Sequence, residues 1–268
     1  MHSRSLTPLL GLGVTSIWLL GACATPSYPD AGLANEPDLV VVTPEVTPQV
    51  EPTEPDAVET SVEDPVFDRE LYSIDDPASL WVIVNKTRTY LPEDYVPENL
   101  VVPDVPSSFE PLLRADTASA LRELFDAAEA EGISLKLHSS YRSYRLQKRV
   151  KAQSVERFGQ EVSDGRSARA GHSEHQSGLA ADLTTLSGAC TLQECFGQTQ
   201  EGIWLAENSW RFGFILRYLE GATHITGYVY EPWHFRYVGL ELAEEIWNQG
   251  YPTLEEFFSL DYAPDYLD

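Results

Sequence analysis

The chain has 268 residues, a formal net charge of −24 and a hydrophobic fraction of 43% that includes 6 Trp, 13 Tyr and 10 Phe. That length and apolar content support one sizeable core with appendages. The acidic balance excludes a nucleic-acid partner, because phosphate binding needs clustered Lys and Arg.

At the N-terminus, Arg4 precedes a mostly apolar run from Leu9 to Leu20. Its length suits the apolar region of a signal peptide and is short for a membrane-spanning helix. The run ends in Leu20-Gly21-Ala22-Cys23, which resembles a bacterial lipobox. Residues 1–22 are then a lipoprotein signal peptide, and Cys23 becomes a lipid-modified N-terminus that anchors the protein to a membrane. An ordinary signal peptide cleaved after Ala22 or Ala24 is the alternative. Either way the mature chain is expected in the cell envelope, outside the cytoplasm, where disulfides persist. Cys190 and Cys195, with four residues between them in a polar segment, are expected to form a small disulfide loop.

From Ala24 to Asp68 there is no Lys or Arg, while acidic residues and prolines recur, as in Thr43-Pro44-Glu45-Val46-Thr47-Pro48. Such a segment cannot bury enough apolar surface to offset its ordering entropy. Residues 23–67 therefore read as a disordered tether and 68–268 as the globular domain.

Within that domain, Leu80–Val84 is a strand-like apolar run. Asp116 or Thr117 is placed to cap a helix whose Leu121, Leu124, Phe125 and Ala128 share a face. Ser134–His138 alternates like a half-buried strand. Ser143 reads as the N-cap of a basic helix that Gly159 stops near Phe158. Leu179–Thr184 reads as a short strand, and Ile203–Phe212 as a helix followed by the strand Phe214–Tyr218. A last strand, Trp233–Val238, leads into a helix through Trp247. Strands and helices intermix without a regular repeat, which predicts an α+β fold, a small antiparallel sheet flanked by helices.

Two of these strands carry chemistry. His175 and Asp182 lie in Gly-His-Ser-Glu-His-Gln-Ser-Gly-Leu-Ala-Ala-Asp (171–182), and Glu231 and His234 in Glu-Pro-Trp-His (231–234). Two imidazoles and one carboxylate are a common ligand set for catalytic zinc, leaving a position open for water. Glu231 is then a base for that water rather than a ligand. Structural zinc sites usually have four protein ligands, often cysteines, so three argue for catalysis. Other hydrolytic machinery is missing. None of the four lysines has a serine three residues before it, and there is no His-Glu-x-x-His or Gly-x-Ser-x-Gly.

Three segments in order, Ser-Ser-Tyr-Arg-Ser (139–143), Ser-Glu-His-Gln-Ser-Gly-Leu-Ala-Ala-Asp (173–182) and Glu-Pro-Trp-His-Phe-Arg-Tyr-Val-Gly (231–239), resemble the VanY-type D-alanyl-D-alanine carboxypeptidases. The resemblance covers roughly residues 80–258 and ends in Thr-Leu-Glu-Glu-Phe-Phe (253–258). It implies a zinc enzyme that trims peptidoglycan stem peptides, with the fold shared by the Hedgehog signalling domain. It makes His175, Asp182 and His234 the zinc ligands and Glu231 the general base. It also makes Arg142 the arginine that contacts substrate or the developing oxyanion. Gln147 and Ser173 match positions that hold the terminal carboxylate in related LD-carboxypeptidases. The resemblance leaves an LD-carboxypeptidase acting on tetrapeptides, and a non-catalytic wall-binding domain, as alternatives. The remaining expectations are a monomer, His172 as a loop residue, Trp233 as pocket wall or core, and Leu186–Gln200 as a surface insertion near the site.

Overall fold

The computed structural model describes residues 67–250 and 253–267. The expectations for the signal segment, for Cys23 and for nearly all of the tether lie outside the described residues.

A short antiparallel pair, β1 (Leu100–Val101) and β2 (Leu113–Arg114), leads directly into α1 (Ala115–Ala130). The chain continues through β3 (Leu135–Ser139), α2 (Tyr144–Phe158), α3 (Gln160–Asp164), β4 (Ala180–Thr185) and α4 (Gln200–Asn208). It ends with β5 (Phe214–Leu216), α5 (Thr223–Thr226), β6 (His234–Tyr237), α6 (Leu240–Gln249) and α7 (Leu254–Phe257). β3 to β6 form one antiparallel sheet in the order β3-β4-β6-β5, as an α+β reading requires. No helix among the described residues is long and apolar enough to cross a membrane.

Leu121, Leu124, Phe125 and Ala128 of α1 are buried against Leu135, Leu137, Ala181, Leu183 and Phe235 of the sheet. Successive side chains of a strand point to opposite faces. With Ala181, Leu183 and Phe235 in this core, Asp182 and His234 are therefore turned to the other side of the sheet. Every residue of β4 is nevertheless buried. The functional face is thus covered too, by the segments that build the site.

Ser143 caps α2 as expected, its hydroxyl accepting from the Leu146 amide at 3.3 Å, and Gly159 ends the helix at φ +82°. Other boundaries differ from the sequence reading. Helix α1 starts one residue before Asp116, with no side-chain cap. The Ala115 amide donates instead to the Asn99 carbonyl at 2.9 Å, so the neighbouring strand satisfies a donor that a cap would otherwise take. Helix α4 starts at Gln200, three residues earlier than expected, because the Thr199 side chain caps it through the Gly202 amide.

Leu80–Val84 is not a strand. Trp81 to Val84 are all buried, but the carbonyls of Leu80, Val82 and Ile83 are met by side chains rather than by a neighbouring strand. Arg236 donates to the carbonyls of Leu80 and Val82, and Arg88 to that of Ile83. An apolar run predicts burial; it does not say which donors will meet the backbone. The segment 186–200 is also more than a surface insertion, because Phe196 sits fully buried in the core.

Candidate active site

The short 3-10 turn Glu174–Ser177 carries His175 and is closed by Gly178 in a left-handed conformation (φ +71°). A Cβ there would lie 3.0 Å from the Leu100 side chain and 3.1 Å from the Arg114 amide nitrogen. Only glycine turns the chain this tightly into β4, which brings Asp182 back beneath His175. Asp182 pairs in register with His234 of β6 on one side and with Ser139 of β3 on the other.

The result is a convergent, buried cluster. Asp182 Oδ2 lies 3.2 Å from His175 Nε2, and Asp182 Oδ1 lies 3.0 Å from His234 Nδ1. One ligand atom from each of His175, Asp182 and His234 falls within a 4.8 Å group, which could hold a metal ion. The far nitrogen of each ring is also engaged. His175 Nδ1 donates to the Ser140 carbonyl at 2.7 Å, and His234 Nε2 meets Glu174 Oε2 at 3.2 Å. A carbonyl can only accept, so the His175 tautomer is set with Nε2 as its ligating nitrogen, while His234 lies between two carboxylates with Nδ1 on the side it shares with Asp182. This fits zinc: soft-to-borderline imidazole nitrogens, one carboxylate, and rings held in place from outside.

Sequence reasoning missed what lies behind His234. Glu174 is completely buried and takes Arg217 Nε and Arg236 Nη1 on one oxygen, each at 2.9 Å, while its other oxygen faces His234. Arg217 also makes a two-pronged pair with Glu255, at 2.7 and 2.8 Å. Burial would raise the Glu174 carboxyl, but Arg217 and Arg236 outweigh it and hold the group well below the usual carboxylate range. Burial alone would likewise lower His234; hydrogen bonds to Asp182 and Glu174 instead push it up to about 9. Two carboxylates therefore set a field that favours a cation at this position. The available signal was a charge in each short apolar strand, Arg217 at the end of Phe-Ile-Leu-Arg (214–217) and Arg236 inside β6.

Around this cluster opens a cleft of about 600 Å³, lined among others by Arg142, Ser173, Glu231 and Trp233. Glu231 precedes β6, anchored by its amide to the Tyr218 carbonyl at 3.1 Å and by its carbonyl to the His234 amide at 3.0 Å. Its carboxylate has no hydrogen-bond or ion-pair partner among the described residues, although only 8% of the residue is exposed. Burial pushes that carboxyl up to about 8 against the opposing pull of His234. Pro232 follows it and the strand begins at His234, so the base candidate sits at the mouth of the strand that carries a ligand.

Arg142 follows β3, its amide bonded to the His175 carbonyl at 3.0 Å. Its guanidinium donates to Gln147 Oε1 at 2.6 Å and to the Ser139 hydroxyl at 3.0 Å, lies 3.9 Å from Asp182 Oδ2, and lines the cleft. Gln147 is fully buried, is absent from the cleft lining, and also donates to the Ala168 carbonyl at 2.6 Å. Gln147 thus braces the Arg142 guanidinium from the protein side. Ser173 is buried at the cleft wall, next to the turn that carries His175.

Other residues expected near the site are placed as follows. His172 bonds to the Asn85 carbonyl at 2.7 Å and is not among the three clustered ligands. Trp233 lines the cleft and packs on the core. Cys190 and Cys195 are joined in a disulfide.

Comparison with known proteins decides the family. The family described as VanY: D-alanyl-D-alanine carboxypeptidase matches residues 110–240. The protein named "Putative carboxypeptidase YodJ" of Bacillus subtilis (strain 168) is 42% identical over 193 residues, which cover 70% of each chain. The chain belongs to the VanY family of D-alanyl-D-alanine carboxypeptidases. It spans about half the length of two enterococcal D-alanyl-D-alanine carboxypeptidases, which it matches at 39% and 37% identity. Among solved structures, the LdcB LD-carboxypeptidase superposes with a TM-score of 0.64 at 41% identity, over 68% of this chain and 87% of that one. A glutamate-to-alanine variant of a vancomycin-resistance VanY D,D-pentapeptidase, solved with zinc, gives 0.56 at 32% identity, over 66% and 97%. The VanY fold is thus the scaffold on which the His175, Asp182 and His234 cluster is built.

Proposed function

We propose that this protein is a zinc-dependent carboxypeptidase that removes the C-terminal D-alanine from peptidoglycan stem peptides. The observation that carries it is the cluster of His175, Asp182 and His234 with the uncommitted carboxylate of Glu231 lining the same cleft. His175 Nε2, Asp182 and His234 Nδ1 would hold the ion. Zinc bound there supplies Lewis-acid polarisation of the scissile carbonyl and makes water more acidic, toward neutral pH. Glu231 takes the proton from the attacking water and hands it to the departing amine. Arg142, oriented by Gln147 and Ser139, presents a planar cationic fork to the terminal carboxylate, with Ser173 beside it. A pure wall-binding domain would have no use for a buried, partnerless carboxylate at Glu231.

Removal of D-alanine from a tetrapeptide is the second reading, favoured by the likeness to LdcB. The family match and the enterococcal relatives favour the pentapeptide. Zinc-loaded protein incubated with defined pentapeptide and tetrapeptide stems, with products weighed by mass spectrometry, separates the two. Faster loss of one alanine from the pentapeptide supports the first reading and faster loss from the tetrapeptide the second; cleavage of neither overturns both.

The lipobox-like Leu20-Gly21-Ala22-Cys23 supports a lipid anchor at Cys23. The lysine- and arginine-free stretch after it supports a tether that carries a monomeric domain from the membrane to the wall.

A further inference from the structure

The cleft, about 600 Å³, extends from the candidate ligands to a wall that includes Leu192, Gln193 and Glu194. Four carboxylates line it: Glu174, Asp182, Glu194 and Glu231. Glu174 is bound to two arginines and His234, Asp182 to the two histidines and Arg142, and Glu231 is assigned to proton transfer. Glu194 is the fourth, exposed, with no hydrogen-bond or ion-pair partner among the described residues.

The chain holds Glu194 firmly. It starts a 3-10 turn, Glu194–Gln198, between the disulfide-bonded Cys195 and a loop pinned by the Thr184–Thr191 hydroxyl contact at 2.8 Å. Phe196 then plugs the turn into the core. A carboxylate on a braced wall, beside a cleft, with its charge unspent, has the chemistry to receive a cation.

Resting on the carboxypeptidase reading, we propose that Glu194 determines specificity by pairing with the cationic side chain of a diamino acid two residues before the departing alanine. Segment 186–200 thereby reads the body of the substrate while Arg142 reads its end. An exposed charge pair of this kind is worth only a few-fold.

The test compares kcat/KM of the zinc-loaded full-length chain on two pentapeptides that differ in one group, lysine or Nε-acetyllysine at the third position. The wild type should prefer the lysyl peptide by about fivefold. That preference should shrink as ionic strength rises from about 0.05 to about 0.5 M, a response steric selection would not give. Glu194→Gln should abolish the preference and leave cleavage of the acetylated peptide unchanged. Arg166→Gln, which removes a cation from the same cleft, should keep it. Equal rates on the two peptides in the wild type, a preference that survives Glu194→Gln, or an equal loss in Arg166→Gln would overturn this inference alone. Cleavage of neither peptide by zinc-loaded wild type would overturn the carboxypeptidase reading, and this one with it.

Discussion

Asp182 and His234 are direct partners across the β4–β6 ladder, and their side chains meet at 3.0 Å between Oδ1 and Nδ1. Two of the three candidate ligands are therefore fixed by sheet register. A one-residue slip of β6 would send His234 into the core and Phe235 into the cleft. Only His175 depends on a turn, and Gly178 sets that turn.

The first prediction concerns the metal. The purified protein should bind about one zinc ion, and chelation should abolish activity that added zinc restores. Alanine at His175, Asp182 or His234 should remove metal and turnover together, as read by elemental analysis and peptide hydrolysis. Full zinc content in all three variants would rule out the ligand assignment.

Base and ligand separate at Glu231. Glu231→Gln keeps the shape and loses the proton acceptor, so zinc should stay while kcat falls by about 10²-fold or more. Near-normal turnover in zinc-loaded Glu231→Gln would assign proton transfer to another group.

Behind the ligands, Glu174→Ala should cost stability as well as metal. It strips a carboxylate from the completely buried Arg217 and Arg236, a loss of about 3–5 kcal/mol. For a domain of this size that is about 10 °C in Tm. Freed from Glu174, His234 should bind zinc some 10- to 100-fold more weakly, measured by competition with a chelator. Unchanged Tm together with unchanged zinc affinity would remove Glu174 from the account.

How much of this was legible in the sequence depends on what each feature needs. The cluster of His175, Asp182 and His234 and α2 with its Ser143 cap were readable, because each rests on local chemistry: donor type, spacing, a cap followed by a helix. The Leu80–Val84 segment was not. Its burial is written in its side chains, but its shape is decided by Arg236, more than 150 residues away. Glu174 was hidden for the same reason, since its partners Arg217 and Arg236 reach it only after the sheet has formed. What Gln147 touches was not legible either. The motif names the residue, while only the fold shows that its amide lies between Arg142 and the Ala168 carbonyl.

The location proposal turns on Cys23. Wild-type protein should partition with membranes and carry a diacyl lipid mass at its N-terminus, two chains being enough for stable anchoring. Cys23→Ser should release the protein or leave it unprocessed. A soluble wild-type protein that begins after Ala24 would leave simple secretion.

The central claim is that this site removes one residue from a free C-terminus, with zinc held by His175, Asp182 and His234 and with Arg142 reading the terminal carboxylate. Its most direct test is kcat/KM of wild type and Arg142→Ala on a stem pentapeptide and on the same peptide with an amidated end. A cation left facing a neutral group forfeits its pairing energy, so amidation should cost the wild type about 2–4 kcal/mol in activation free energy. Arg142→Ala should erase most of that difference, and Arg142→Lys should not restore it, because a point charge cannot reproduce the planar fork. The only product from the free peptide should be the tetrapeptide and one D-alanine. A wild-type enzyme that cleaves the amidated peptide as fast as the free one is not a carboxypeptidase, and the account would be wrong.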